Sequence, residues 1–395
     1  MSFLNPIRPM GIYETLYAFQ DAAGVAMGEP GTLPMSQGFP RVQQLPGGPE
    51  FPNFAGRTPE QRMYPKAWGE PGLREAIAAY YRTTYGAKIT AKNVMVFAGG
   101  RPGLFALLMF LARDVRVRIA STEYTPYWDM LRLLGRRYDL VPSTESNRFM
   151  PTNDRFVGSE SGRSLGLMSN PCNPTGQTRR GSVLEALVLR AADSSFGLLS
   201  DEAYEWFTEG EPVSALQFVG DINASNLFVV GATTKNYQDP GLRIGWVIAA
   251  EDSIEYLGAF SSFGMGGVSR PSQLEAIALM EPERAAHART TVNSFYREQR
   301  ARWRDSLAGL GLELFTGEGG FYHWCRLPRG MSALEFNTRL FRDKGAILPG
   351  VLCDMERGED GYASPLKSFF RLSFGPLDPE QHDTYVEALR RALAA

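Results

Sequence analysis

Cysteine and histidine are scarce, with three of each in 395 residues. Cys172, Cys325 and Cys353 are too few and too scattered for a disulfide framework. Together with His287, His323 and His382 they show no metal-ligand spacing, so no metal site is expected. Neither sign of charge dominates. Forty-one basic and 43 acidic residues leave a net charge of −2, with no basic tail or acidic block. A nucleic-acid partner is therefore not expected. Long apolar runs are missing too: the longest, Gly103 to Ala112, covers roughly half a membrane span. The stretch Met1 to Pro9 has no apolar signal core. What is present is 44% hydrophobic residues in a length that suggests about two domains. A soluble cytoplasmic enzyme with no membrane partner is the expected class.

One stretch, Val230 to Trp246, places a single lysine, Lys235, in a Thr/Asn/Gly/Pro loop. Apolar runs on either side, Leu227 to Gly231 and Ile244 to Ala249, read as buried strands. Arg243 follows eight residues after the lysine. An ammonium at the mouth of a sheet is costly without a partner. One chemistry needs it there: an amine forming a Schiff base with an aldehyde cofactor, beside a guanidinium gripping that cofactor's phosphate. Taken alone, the stretch also fits a surface loop with two ordinary cations.

The rest of the chain supplies context. Residues 1 to about 60 are rich in Pro and Gly; Tyr13 to Phe19 suggests a short helix, and Gly28 to Phe54 reads as irregular arm. Leu73 to Arg82 is an amphipathic helix after a Gly/Pro turn. Asn93 to Ala98 reads as a buried strand ending in Gly99-Gly100-Arg101-Pro102, ahead of an apolar helix. Exposed amides at a helix start favour an anion, although such a turn is often only a turn. The strand from Arg116 ends at Thr122-Glu-Tyr124-Thr-Pro-Tyr127-Trp128, aromatics that either stack on a planar ligand or fill a core. A helix from Met130 to Gly135 and a surface excursion from Pro142 to Phe156 follow. The strand Ser164 to Ser169 ends in Asn170-Pro-Cys-Asn173-Pro-Thr-Gly176, where two prolines stiffen the turn that carries Asn173. Gly197 to Ser200 ends in Asp201-Glu-Ala-Tyr204, and a carboxylate closing an apolar strand calls for a cation, such as a protonated pyridine nitrogen.

Asn170-Pro-x-Asn-Pro-Thr-Gly176, Asp201-Glu-x-Tyr204 and Lys235 with Arg243 resemble, in order and separation, the fold-type I pyridoxal-phosphate enzymes, and within them the class I/II aminotransferases. Gly319-Gly-Phe-Tyr-x-Trp324, Leu348-Pro-Gly350 and Phe370-Arg371-Leu-Ser-Phe374 extend the resemblance over most of the chain. It implies an α/β fold with a large domain, whose mostly parallel seven-stranded-type sheet lies between helices, and a smaller α+β domain. The expected division is an arm over 1–55, a pyridoxal-phosphate domain over 56–285 and a small domain over 286–395.

The resemblance also implies roles. Lys235 is the Schiff-base lysine and proton shuttle, Asp201 the partner of the pyridinium nitrogen, and Asn173 and Tyr204 the partners of the phenolic oxygen. Tyr124 stacks on the ring. Gly99, Gly100, Arg101, Thr234 and Arg243 cradle the phosphate, and Tyr64 reaches the cofactor of a neighbouring subunit in a homodimer with shared sites. Arg371 holds the substrate α-carboxylate, near the backbone of Gly38 and with Asn173 alongside. Two departures stand out: Ala232 occupies a position often held by a phosphate-binding serine, and Pro102 removes an amide from the glycine turn. The only arginine in the region 261–270, where dicarboxylate-specific members carry a second substrate arginine, is Arg270, so an acidic donor is not expected. The expected reaction is amino transfer between an L-amino acid and a 2-oxo acid. β/γ-Elimination, replacement or cyclisation on the same site is the alternative. A cofactor-binding regulator would need a helix-turn-helix extension that the N-terminal stretch does not show. His323, alternating with apolar neighbours, reads as structural, and Cys172 as a small filler.

Overall fold

The computed structural model describes residues 12–41, 43–50, 64–158, 162–358 and 361–394. Helix α1 (Ile12–Ala23) is longer than the sequence suggested, because Phe19 is fully buried edge-on to Phe341 and anchors its middle. The arm after it is irregular, and it is tied down: Leu33 bridges to Gly345, and the Met35 carbonyl accepts from the Ser373 amide. Helix α2 (Pro71–Tyr85) starts on a proline, where the missing N–H costs nothing, and stops at Gly86 in a left-handed conformation. It buries Leu73, Ile77 and Tyr81 at i, i+4 spacing.

Strands and helices then alternate: β1 (Val94–Phe97), α3 (Gly100–Phe110), β2 (Arg116–Ala120), α4 (Thr125–Leu133), β3 (Tyr138–Val141), α5 (Asn153–Val157), β4 (Ser164–Ser169), α6 (Gly181–Arg190), β5 (Phe196–Asp201), β6 (Leu227–Ala232), α7 (Thr233–Asn236), β7 (Gly245–Ile248) and α8 (Glu251–Phe260). They form a seven-stranded sheet in the order β1-β7-β6-β5-β4-β2-β3. All strands run parallel except β7, which is antiparallel to both neighbours. Alternate residues feed opposite cores: Leu198, Val229 and Trp246 pack towards α2 and α6, while Leu199, Val230 and Val247 pack towards α3, α4 and α8. That double burial explains why these strands are apolar throughout and lack alternation in sequence.

Helices α9 (Arg270–Leu279) and α10 (Pro282–Gly309) lead to a second, antiparallel sheet. It comprises β8 (Glu313–Leu314), β9 (Tyr322–Arg326), β10 (Leu348–Pro349) and β11 (Phe369–Ser373), in the order β10-β11-β9-β8. Helices α11 (Ala333–Leu340) and α12 (His382–Ala394) pack against each other beside it.

Two local expectations need correction. Helix α4 begins at Thr125 rather than Met130, since Pro126 suits a first helical turn, so Tyr127 and Trp128 are helical residues. The segment 142–156 is no free excursion: Phe149 and Phe156 are buried, and Phe149 packs edge-on to Trp324 and Phe369 of the small sheet.

Candidate active site

The parallel strands deliver their C-terminal ends to one cavity of about 320 Å³. Asp201, the last residue of β5, accepts the Tyr127 hydroxyl at 2.9 Å and the Ala203 amide at 3.2 Å. Burial pushes its carboxyl up to about 6, against the downward pull of those two bonds and of the Lys235 charge. Lys235, on α7 just past β6, donates to the Gly38 carbonyl. Burial and then the guanidinium charges of Arg101 and Arg371 lower its amine to about 7, outweighing Asp201.

The opposite wall is a chain of polar contacts. The Tyr204 and Tyr322 hydroxyls lie 2.6 Å apart, and Asn173 Nδ2 donates to Tyr204 at 3.4 Å. Asn173 Oδ1 accepts from Arg371 Nη1 at 2.8 Å, while Arg371 Nη2 donates to the Ser36 carbonyl at 2.8 Å. The guanidinium stands 4.2 Å over the Tyr322 ring, and its buried Nε has no partner among the described residues. Gly38 is squeezed into this corner: a Cβ there would lie 3.1 Å from the Tyr322 hydroxyl and 3.7 Å from Arg371 Nη2.

At the other end, Gly99 caps α3 at φ 100°, and a Cβ on it would stand 2.2 Å from Arg243 Nη2. Arg243 donates to the carbonyls of Pro240 and Ala98 at 2.8 and 3.1 Å. Pro102 lies in the first turn of α3, where its missing N–H has no intrahelical acceptor to lose. The Thr233 hydroxyl is spent on the carbonyls of Asp239 and Ile244, whereas Thr234 and Ala232 face the cavity. Arg101 lines it with no hydrogen-bond acceptor among the described residues.

Of the residues singled out by sequence, Gly38, Gly100, Arg101, Tyr124, Asn173, Asp201, Tyr204, Thr234, Lys235, Arg243 and Arg371 all line this one cavity. Gly99 sits behind Arg243. Tyr64 is elsewhere, 91% exposed, with its carbonyl accepting from Arg270. Arg270 pairs with Glu70 at 3.0 Å and does not line the cavity. His323 bonds Thr316 and the Arg300 carbonyl, and burial lowers it to about 3, so it is neutral.

Sequence reading passed over several neighbours. Tyr127, three residues after Tyr124 and so on the same helical face, grips Asp201. Tyr322 supports both Tyr204 and Arg371; the β9–β11 register, with Arg371 opposite Trp324 and Ser373 opposite Tyr322, sets it diagonal to the arginine. Ile12, Leu16 and Phe39 bring apolar surface from the arm, a contact with no local signature.

Residues 35–389 match the model of the family "Aminotransferase class I and II", whose members generally depend on pyridoxal phosphate. The chain is 30% identical over 339 residues to a valine–pyruvate aminotransferase of Mycobacterium tuberculosis, spanning 84% of this chain and 82% of that protein. It is 28% identical over 356 residues to an aspartate/prephenate aminotransferase of Thermus thermophilus, spanning 86% and 91%. A double mutant of Thermus thermophilus aspartate aminotransferase shares the fold, with a TM-score of 0.82 at 22% identity over 100% of both chains. The chain belongs to the aminotransferase class I and II family and is an aminotransferase.

Proposed function

We propose that this aminotransferase holds pyridoxal 5′-phosphate on Lys235 and moves an amino group between an L-amino acid and a 2-oxo acid. The observation that carries the reading is one cavity that holds a half-buried amine lowered to about 7, a buried carboxyl and a buried guanidinium. The residues fit the cofactor. Asp201 is buried without an ion-pair partner among the described residues, as suits a ring nitrogen that arrives protonated. Gly99 has no room for a Cβ beside Arg243, which leaves the backbone amides of the Gly99–Gly100 turn and a guanidinium open to a phosphate.

When bound, the cofactor supplies the carbonyl carbon that carries the amino group and an electron sink for the substrate Cα. The protein supplies the rest. Lys235 Nζ, largely free base above neutral pH, takes the Cα proton and returns it. Arg371 grips the α-carboxylate, and Asn173 and Tyr204 hold the phenolic oxygen while Tyr124 covers the ring. Arg243, Thr234 and the amides of α3 receive the phosphate, with Arg101 as a further cation. Because Arg101 has no acceptor of its own among the described residues, it also suits an acidic substrate side chain. In Arg101→Met, a loss of cofactor affinity would assign it to the phosphate. A selective loss of acidic substrates at unchanged cofactor affinity would assign it to the substrate.

The reading includes a homodimer in which Tyr64 enters the neighbouring site, supported by the outward exposure of its ring. Sizing in solution tests it; a fully active monomer would reject that role. It also includes a division into an arm over 1–55, a large domain over 56–285 and a small domain over 286–395, supported by the placement of the two sheets. A cytoplasmic location is in keeping with three free, buried cysteines. The deciding experiment incubates the cofactor-loaded protein with a panel of amino acids and follows 2-oxo acid and cofactor amine. Stoichiometric formation of both is expected. Release of ammonia without cofactor amine would replace amino transfer by elimination.

A further inference from the structure

Glu123 is a carboxyl that amino transfer has no evident use for, yet it is 2% exposed immediately behind the cavity wall. It lies one residue before Tyr124, at the exit of β2. Its Oε1 accepts the Tyr124 amide at 2.9 Å, the Ser169 hydroxyl at 2.5 Å and the Cys172 thiol at 3.6 Å. Its Oε2 accepts the Ser169 amide at 3.4 Å. The Ser169 hydroxyl in turn accepts the backbone N–H of Asn173 at 3.0 Å. One carboxyl thus joins the exit of β2, the end of β4 and the Asn-Pro turn, the segments that bring Tyr124, Ser169 and Asn173 to the cavity. Burial pushes the group up to about 7, against these four hydrogen bonds. A buried carboxyl is costly unless its donors compensate. A neutral side chain could fill the same volume more cheaply.

We propose that Glu123 is a positioning residue that sets the stacking ring of Tyr124 and, through Ser169, the side chain of Asn173, and so fixes how the cofactor ring is seated. A serine hydroxyl has one proton. While that proton goes to Glu123, the oxygen is left to accept the Asn173 amide. Without Glu123 the hydroxyl is free to turn into the cavity that Ser169 lines, and both the Asn173 and the Tyr124 amides lose their acceptors. Because Asn173 Oδ1 is also bonded to Arg371, loosening the turn reaches the carboxylate clamp as well.

The inference rests on the pyridoxal-phosphate reading above, and the test separates the two. Full-length parent, Glu123→Gln, Glu123→Ala and Ser169→Ala are titrated with pyridoxal phosphate. For each, the Kd, the visible circular dichroism per bound cofactor and the melting temperature of the cofactor-free protein are recorded. Glu123→Ala is expected to raise Kd by about tenfold or more and at least to halve the visible dichroism, since it removes the acceptor of several hydrogen bonds. Glu123→Gln, whose amide oxygen still accepts from Tyr124 and Ser169, is expected to recover most of both, with Ser169→Ala in between. Parent-like Kd and dichroism in Glu123→Ala, with only a lowered melting temperature, would overturn the proposal. So would Glu123→Gln behaving as poorly as Glu123→Ala. Should Glu123→Ala fail to fold, unchanged Kd and dichroism in Ser169→Ala would overturn it. A parent that develops no visible band with pyridoxal phosphate, or one whose band survives in Lys235→Ala, would instead reject the pyridoxal-phosphate reading itself.

Discussion

Burial acts on Lys235 and Asp201 in opposite directions, lowering the amine to about 7 and raising the carboxyl to about 6. A lowered amine pKa means that the nucleophilic free base dominates above it, so capture of pyridoxal phosphate by the cofactor-free protein should speed up as pH rises through about 7. Arg101 is one cause of the lowering. In Arg101→Met the rate limb, followed by stopped-flow absorbance, is expected at higher pH; an unshifted limb would remove Arg101 from that role. Tyr127 works in the other direction, since its hydrogen bond draws the Asp201 carboxyl down. Tyr127→Phe should favour the protonated carboxyl and lower kcat roughly five- to tenfold, the worth of about one hydrogen bond, with the donor KM little changed. The contrast between these residues shows what a sequence exposes. Asp201 and Lys235 were legible because each is an expensive polar group at the end of an apolar strand. Tyr127, Tyr322 and Glu123 were not, because an aromatic or a carboxyl next to a strand exit has many cheap explanations until its partners are known.

The elements were read with uneven success for a related reason. Strands β4, β5 and β6 stand out as apolar runs because both faces of the sheet are covered, so burial leaves its mark on every residue. Local pattern starts helix α4 too late because Pro126 reads as a turn residue as readily as a first-turn residue. Burial of Phe149 and Phe156 depends on partners far along the chain, which local pattern does not carry. The glycine turn at the start of α3 was recognised, but the reason for Gly99 emerges only from its φ of 100° and the Arg243 guanidinium that fills the Cβ position. Gly99→Ala should cost about 1–3 kcal/mol in the strained backbone and displace Arg243. Melting temperature and cofactor affinity should therefore fall together. A variant that melts lower while binding cofactor as tightly as the parent would detach Arg243 from phosphate binding.

On the scale of the whole molecule, a buried acidic cluster fastens α2 to the sheet on the side away from α3. Glu205 accepts the hydroxyls of Tyr80, Tyr81 and Tyr85 and the Trp206 indole, and Trp246 donates to Tyr81. Glu202, bonded to Ser200 and the Ala215 amide, leaves Oε2 without a partner among the described residues. Burial first, then the neighbouring Glu205, pushes Glu202 up to about 8, and burial raises Glu205 as well. Both carboxyls therefore bind a proton more tightly folded than unfolded. Their contribution to stability is full below the unfolded value near 4.5 and is lost as pH rises towards about 8 for Glu202. At about 1.4 kcal/mol per pKa unit the effect is on the order of a few kcal/mol, large against a typical folding free energy. Glu202→Gln keeps an acceptor for Ser200 and Ala215 but has no proton to lose. Relative to the parent it should gain stability as pH rises from about 5 to about 8 and level off above that, as measured by chemical denaturation at matched salt from pH 5 to 9. A stability difference that stays constant over that range would mean that Glu202 is already ionised in the folded protein, with Oε2 satisfied by buried water and the cluster acting as a fixed negative charge beneath the sheet.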